Sequence, residues 1–381
     1  MRNIDLLTEQ PLADLKSYAR VEVMEASETF LTQTFLDEDR RFHREILEGE
    51  DHQPVALAAS CADLTLGSLE PWVAKAYLAA LTSPANEDAA RRMFGLVRTN
   101  LVQAIDRAAW IDNQSRRASA SKVSQTRLQF IGDVESKRLD KLVLTPGSFR
   151  AALVQIATHV NAEGLAEIGH PSSPPELYPN FGGAIYSRNV NALWVSPEIA
   201  RPPYLDMGRF GAVSFGAFGT LIGHELAHSV SPDGIGYDAA GLLRETWSAT
   251  ARDAFNARLR CLERQLDVAR NGPESKIDAQ RVLDEHVADL VGVQVALSAM
   301  ESDTAKSVDS DVQRARRRDF FIAYAQQECG WSGDPDVPVD DQHAPARARI
   351  DGVLSNIPEF AATFQCAAGT PMAPVERCSL W

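Results

Sequence analysis

Within FGTLIGHELAHSV (residues 218–230), His224, Glu225 and His228 stand in the order H-E-x-x-H, and this restricts the local fold more than any other stretch. Positions four apart share one face of an α-helix, so on a helix both imidazoles can reach a single metal ion. Glu225 is turned about 100° from His224. It therefore stands beside the metal rather than on it, placed to take a proton from a zinc-bound water. The competing reading is a surface helix carrying two of the chain's 8 histidines by chance. A zinc ion needs a third protein ligand, and the presence of one decides between the two.

RVLDEHVADLVGVQVAL supplies a candidate 57 residues after the motif. Glu285 and Asp289 are four apart and share a helix face. One can ligate zinc while the other accepts the free N–H of a ligating histidine. On a surface the same pair is only two like charges. The metzincin pattern is excluded, because no histidine follows His228 until His286.

The remaining chain narrows the class. Its 381 residues make one large domain or two. A net charge of -14 argues against nucleic acid or anionic membrane as partners. No apolar run is long enough to span a membrane, and the charged start MRNIDLLTEQ has no signal-peptide core. As encoded, the chain reads as cytoplasmic; if its natural N-terminus is missing, it reads as extracytoplasmic. The five cysteines fit no C-x-x-C pattern and on composition are buried free thiols.

Apolar residues recur at helical spacing from Leu15 to Leu47, and again through Met93, Val97, Leu101 and Ile105 behind a start at Ser83-Pro84. Helical pattern continues through LTPGSFRAALVQIATHV. A Gly-, Pro- and Asn-rich stretch, 169–203, follows with two β-like runs, GAIYS and NALWVS. Helices are expected again from Phe218, over 244–269, 278–300 and 312–329. The class is mainly α with a small β-sheet.

With these motifs in place, the sequence resembles the neprilysin and endothelin-converting enzyme family of zinc endopeptidases, which are gluzincins. AWIDNQSRRASASK resembles the family's W-M-D-x-x-T-R-x-x-A-x-x-K, IARPPYLD its I-L-Q-P-P-F-F, LDEHVAD its G-E-N-I-A-D, and FFIAYAQQECG its F-F-x-x-A-x-x-W-C. The C-terminal stretch from DQHAP to the final tryptophan is similar almost residue for residue. The resemblance implies a thermolysin-like zincin catalytic domain holding one zinc ion. It implies His224, His228 and Glu285 as zinc ligands, Glu225 as general base, and Asp289 as the partner of a ligating histidine. His343 would donate to the oxyanion, with Asp341 orienting it, and Arg349 would grip a peptide carbonyl on the primed side. A metal-assisted oxyanion and an extended peptide need such donors in any case.

Three positions depart from the pattern. The family's peptide-gripping N-A-x-Y falls on GAIY, so Gly183 stands before Ala184 where an asparagine is usual, and the letters recur only out of register at Asn191-Ala192. Glu328 replaces an aromatic residue that walls the primed-side pocket, and a carboxylate there suits a basic or polar side chain. HSVSPDG lacks the acidic pair after the second histidine, so a supporting carboxylate is expected to be missing.

Measured against the family, the chain reads as the C-terminal catalytic half only. Residues 1–125 are expected to form a helical linker and a remnant of the second lobe, and 126–381 the catalytic domain. By resemblance Cys261 pairs with Cys378, while Cys329, Cys366 and Cys61 lack their partners. Helices from Leu15 to Ala109 would then expose apolar surface, which points to a separate polypeptide in a heterodimer or to self-association. The alternative function is a non-catalytic peptide-binding or scaffold subunit that retains zinc.

Overall fold

The computed structural model describes residues 10–25, 27, 32–48, 57–69, 72–73, 81, 83–131, 139, 141–166, 168–169, 182–207, 211–270, 278–303, 310–328 and 343–381. In chain order the main helices are α1 (Leu12–Glu25), α2 (Gln33–Arg40), α3 (Leu57–Ser68), α4 (Pro84–Arg107), α5 (Asn113–Gln125), α6 (Phe149–Ala166), α7 (Thr220–Ala227), α8 (Ala249–Arg270), α9 (Ala279–Ser302), α10 (Ser310–Glu328), α11 (Ala346–Leu354) and α12 (Pro358–Phe364). The strands are β1 (Arg127–Phe130), β2 (Ala184–Ser187) and β3 (Ala192–Val195). The mainly helical class with a small sheet is what the structure has. Strand β1 was not foreseen.

Two compact units divide the chain, Met1–Glu70 with Arg138–Ile168, and Pro71–Lys137 with Gly169–Trp381. Each takes residues from both sides of position 125. The first holds α1, α2, α3 and α6. In it Tyr18, Val21, Val23, Phe35 and Ile46 are half exposed or more. The second unit contains α4, whose stripe Ala90, Met93, Val97, Leu101 and Ile105 is fully buried. The expected exposure up to Ala109 is thus corrected for this helix. Its apolar face belongs to the second unit's own core.

That core surrounds α9. Glu285, Asp289 and Gly292 recur along one stripe of this helix, at i, i+4 and i+7. Helix α7 crosses it with glycine against glycine. A methyl group added at Gly223 would lie 2.6 Å from the Gly292 carbonyl oxygen, and one at Gly292 would lie 2.6 Å from the His224 nitrogen. Ahead of α7 the chain makes a wide π turn, Phe215–Gly219, whose residues are all buried.

The sheet has the order β1-β3-β2, with β1 parallel and β2 antiparallel to β3. Strand β3 is buried throughout, and β2 is an edge. At the C-terminus Cys261 of α8 is disulfide-bonded to Cys378, against the composition reading of free thiols. Cys61 and Cys366 are free, and Cys329 lies outside the described residues. Gly292→Ala should force the two helices apart and cost about 1–3 kcal/mol, as overpacked cores do. A fall in Tm is the expected result, and an unchanged Tm would show that the crossing has slack.

Candidate active site

The crossing of α7 and α9 brings His224 and His228 against Glu285. Nε2 of His224 lies 3.2 Å from Nε2 of His228 and 3.1 Å from Glu285 Oε2, and Nε2 of His228 is 3.5 Å from the same oxygen. Atoms bound to a tetrahedral zinc at its usual bond lengths are roughly 3.3–3.4 Å apart. The triangle therefore has the edge length that a shared ion requires.

The protons agree with this. His224 Nδ1 is 2.8 Å from Asp289 Oδ1, and His228 Nδ1 is 3.0 Å from Asp284 Oδ2. An ionised carboxylate only accepts, so each imidazole places its proton on Nδ1 and turns the Nε2 lone pair inward. Glu285 Oε2 is buried and accepts no well-formed hydrogen bond. Two lone pairs and an anionic oxygen facing one another repel unless a cation lies among them. Without one, protons compensate. Burial disfavours a charged His224, but Asp289 and Glu285 outweigh it and raise its pKa to about 9. Burial likewise opposes ionisation of Glu285, yet the histidines hold its carboxyl far below the usual range.

Asp284 was not singled out from the sequence. HSVSPDG itself brings no carboxylate to the His228 ring; Asp284 of α9 binds the ring instead and also accepts from the Asp233 backbone N–H at 2.9 Å. HSVSPDG therefore docks onto an acid supplied by α9.

Asp289 serves two partners. Besides His224 it receives Arg349 Nε at 2.7 Å on Oδ2 and Arg349 Nη2 at 2.6 Å on Oδ1. Arg349 Nη1 is 3.0 Å from Glu328 Oε2. Glu328 is buried, so its carboxylate faces Arg349 rather than bulk solvent, and burial raises its pKa. His343 Nε2 lies 3.1 Å from Glu285 Oε2, the oxygen that His224 and His228 also face. Asp341, its expected partner, is outside the described residues.

Glu225 is buried beside the histidines, and its Oε2 accepts the Tyr186 backbone N–H at 2.7 Å. Burial raises its pKa. The strand phase explains this bond. Gly183 O accepts from Ser196 N at 2.8 Å, so 183, 185 and 187 bond to β3 while 184 and 186 turn their backbone groups to the free edge. Ala184 N–H and C=O therefore face the cleft, next to the group that holds Glu225. Asn191 sits elsewhere. It is buried, accepts from the Tyr186 hydroxyl at 2.9 Å, and donates to the Lys122 and Ala239 carbonyls.

These residues line a cleft of about 520 Å³ that includes Gly183, Ala184, His224, Glu225, Glu328, His343 and Arg349. Of the candidate site residues named from the sequence, all but Asp341 are described, and all of those gather here.

A sequence model of Peptidase family M13 matches residues 183–380, just over half the chain. A second M13 model, for the N-terminal part of that family, matches residues 1–132. This corrects the reading of a C-terminal half only, because the chain also carries N-terminal family sequence. Neprilysin-3 of Drosophila melanogaster is 27% identical over 315 residues, covering 78% of this chain and 40% of the relative. Neprilysin-1 of Caenorhabditis elegans is 34% identical over 209 residues, covering 52% and 28%. Endothelin-converting enzyme 1 of Mus musculus is 24% identical and covers 96% and 50%. The chain thus spans half or less of the length of these curated relatives. Among solved structures, PepO of Lactobacillus rhamnosis HN001 superposes with a TM-score of 0.81 at 19% identity, over 93% of this chain and 56% of that one. Zinc metalloprotease ZMP1 of Mycobacterium tuberculosis, in complex with an inhibitor, gives 0.77 at 21%, over 99% and 59%. At these identities the likeness establishes the fold.

Losing a carboxylate behind a metal-binding histidine commonly costs about 10–100-fold in affinity. Asp284→Asn should weaken zinc binding by that much in a chelator competition. Unchanged affinity would mean that His228 is oriented without it.

Proposed function

The chain belongs to Peptidase family M13, and from that footing we propose that it is a zinc endopeptidase hydrolysing short peptides. Glu225 carries this reading. A purely structural zinc site has no use for a buried carboxylate beside its ligands, held by a strand-edge N–H. His224, His228 and Glu285 would hold the ion. When bound, zinc supplies a Lewis acid and lowers the pKa of a coordinated water.

The other residues divide the work between them. An extended peptide adds to the free edge of β2 at Ala184, as strands do. Gly183 offers no side-chain amide there, so backbone groups carry the grip. Two of the five N–H groups of Arg349 are left by Asp289 and Glu328 among the described residues, and these can hold a peptide carbonyl. Glu225 takes the proton of the attacking water and delivers it to the leaving nitrogen. His343 donates to the oxygen that becomes negative. Asp289 keeps the His224 proton on Nδ1 while it anchors Arg349, so ligand and peptide grip share one carboxylate.

A separate polypeptide, or a second copy of this chain, is part of the proposal. The half-exposed apolar side chains of α1 and α2 favour a covering partner. The Cys261–Cys378 disulfide favours an oxidising, extracytoplasmic setting over the cytoplasmic one. No described helix is long and apolar enough to cross a membrane.

Glu225→Gln should retain zinc and lose about 10²–10⁴-fold in kcat. Zinc bound without cleavage by either protein would instead favour a peptide-binding subunit. For the partner, sedimentation and specific activity are read together across a dilution series. A monomer whose specific activity does not change with dilution would sink that part of the proposal.

A further inference from the structure

Beyond His224 and Glu225, the cleft runs between α7, α9 and α10, and its lining changes character. Tyr204, Leu221 and Val293 form apolar walls. Thr220, Gln327 and Glu328 are polar, and Thr220 Oγ1 lies 3.2 Å from Gln327 Oε1. Glu328 follows Gln327 directly in the chain and carries the negative charge at this end. Its Oε2 is engaged by Arg349 at 3.0 Å. A carboxylate has about four acceptor positions, so that contact does not exhaust it.

The local charge balance favours a cation. Arg349 is shared by two carboxylates, Asp289 and Glu328. One guanidinium between two carboxylates leaves the trio one negative charge in excess. With a metal on its Nε2 His224 adds no positive charge, and the two charges of a zinc ion are offset by Glu285 and Glu225. A wholly apolar side chain reaching this end would strip water from Glu328 and Gln327 and return no donor. An acidic one would meet Glu328 as a like charge. A lysine or arginine lays its methylene stem along apolar walls and carries its donors at the tip.

We propose that this recess binds the lysine or arginine side chain of the substrate residue that follows the cleaved bond, and that the substrates are cationic peptides. The proposal rests on the peptidase reading above. Glu328 is the specificity-determining group, and it acts on the substrate side chain directly. The net charge of -14 agrees in sign, since it draws cationic peptides to the surface.

Three peptides that differ only in the residue after the cut test this with the zinc-loaded chain. That residue is lysine, norleucine (the lysine stem without the charge) or glutamate. A hydrogen bond to a charged partner is worth about tenfold or more. The lysine peptide should therefore exceed norleucine in kcat/KM by at least about tenfold, with glutamate the poorest. In Glu328→Gln the lysine-to-norleucine ratio should fall toward one, and in Glu328→Leu it should invert. The wild-type ranking needs no variant, so a variant that folds poorly does not remove the test. Cleavage of all three at similar rates overturns the proposal and leaves the peptidase reading standing. A lysine preference that survives both substitutions overturns the role of Glu328. No cleavage of any peptide by the wild type overturns the peptidase reading and this proposal together.

Discussion

Two helices can offer ligands to one metal only if their backbones come close, and here the close approach depends on having no side chain at Gly223 and Gly292. Helix α7 supplies the imidazoles and α9 the acids. With Gly292 seven residues beyond Glu285 on the same stripe, the crossing sets the distance at which Glu285 meets His224 and His228. It also sets the pairings of Asp289 with His224 and of Asp284 with His228. Asp284, Asp289 and Glu285 are thus all placed by one helix–helix contact. A shift of that contact would disturb each of them together.

The same contact reaches Arg349 and Glu328 across the cleft. Asp289 is buried and could not hold a charge there unaccompanied. Arg349 engages both its oxygens, and His224 shares one of them. A buried carboxylate with two donors of different purpose is stable, and it also ties the orientation of a metal-facing ring to the orientation of a guanidinium across the cleft. Glu328 extends this chain of charges by one member.

The central motifs were legible because helical periodicity is itself geometric information. H-E-x-x-H and E-x-x-x-D each specify two side chains on one face, so His224, His228, Glu285 and Asp289 could be placed from spacing. Asp284 could not. It lies beside Glu285, about 100° around the helix, and only the crossing angle brings it to His228. LDEHVAD did contain the signal, as a second acid adjoining the ligand. The burial of α4 was misjudged because an apolar stripe shows that a face is covered without showing by what. Strand β1 was missed because its four residues pair with β3, more than sixty positions away in sequence. Resemblance, rather than period, pointed to His343, in the bend before α11, and to Arg349, inside α11; neither belongs to a motif with a spacing rule of its own.

Strand phase supplies what the loss of an asparagine at position 183 removes. In an antiparallel pair each residue turns its N–H and C=O either to the partner or away, and a slip of one residue would reverse every group. The bond from Ser196 to Gly183 sets that phase, so Ala184 and Tyr186 face outward. One outward group holds Glu225 and the neighbouring pair remains for an extended chain. Under the proposed function, both the base and the peptide would be registered by the same strand, whatever stands at position 183. The Tyr186 hydroxyl, bonded to buried Asn191, anchors the strand from behind. A glycine at 183 is tolerable in such a site because the register resides in the backbone, and selectivity can pass to the side-chain recess at the other end of the cleft.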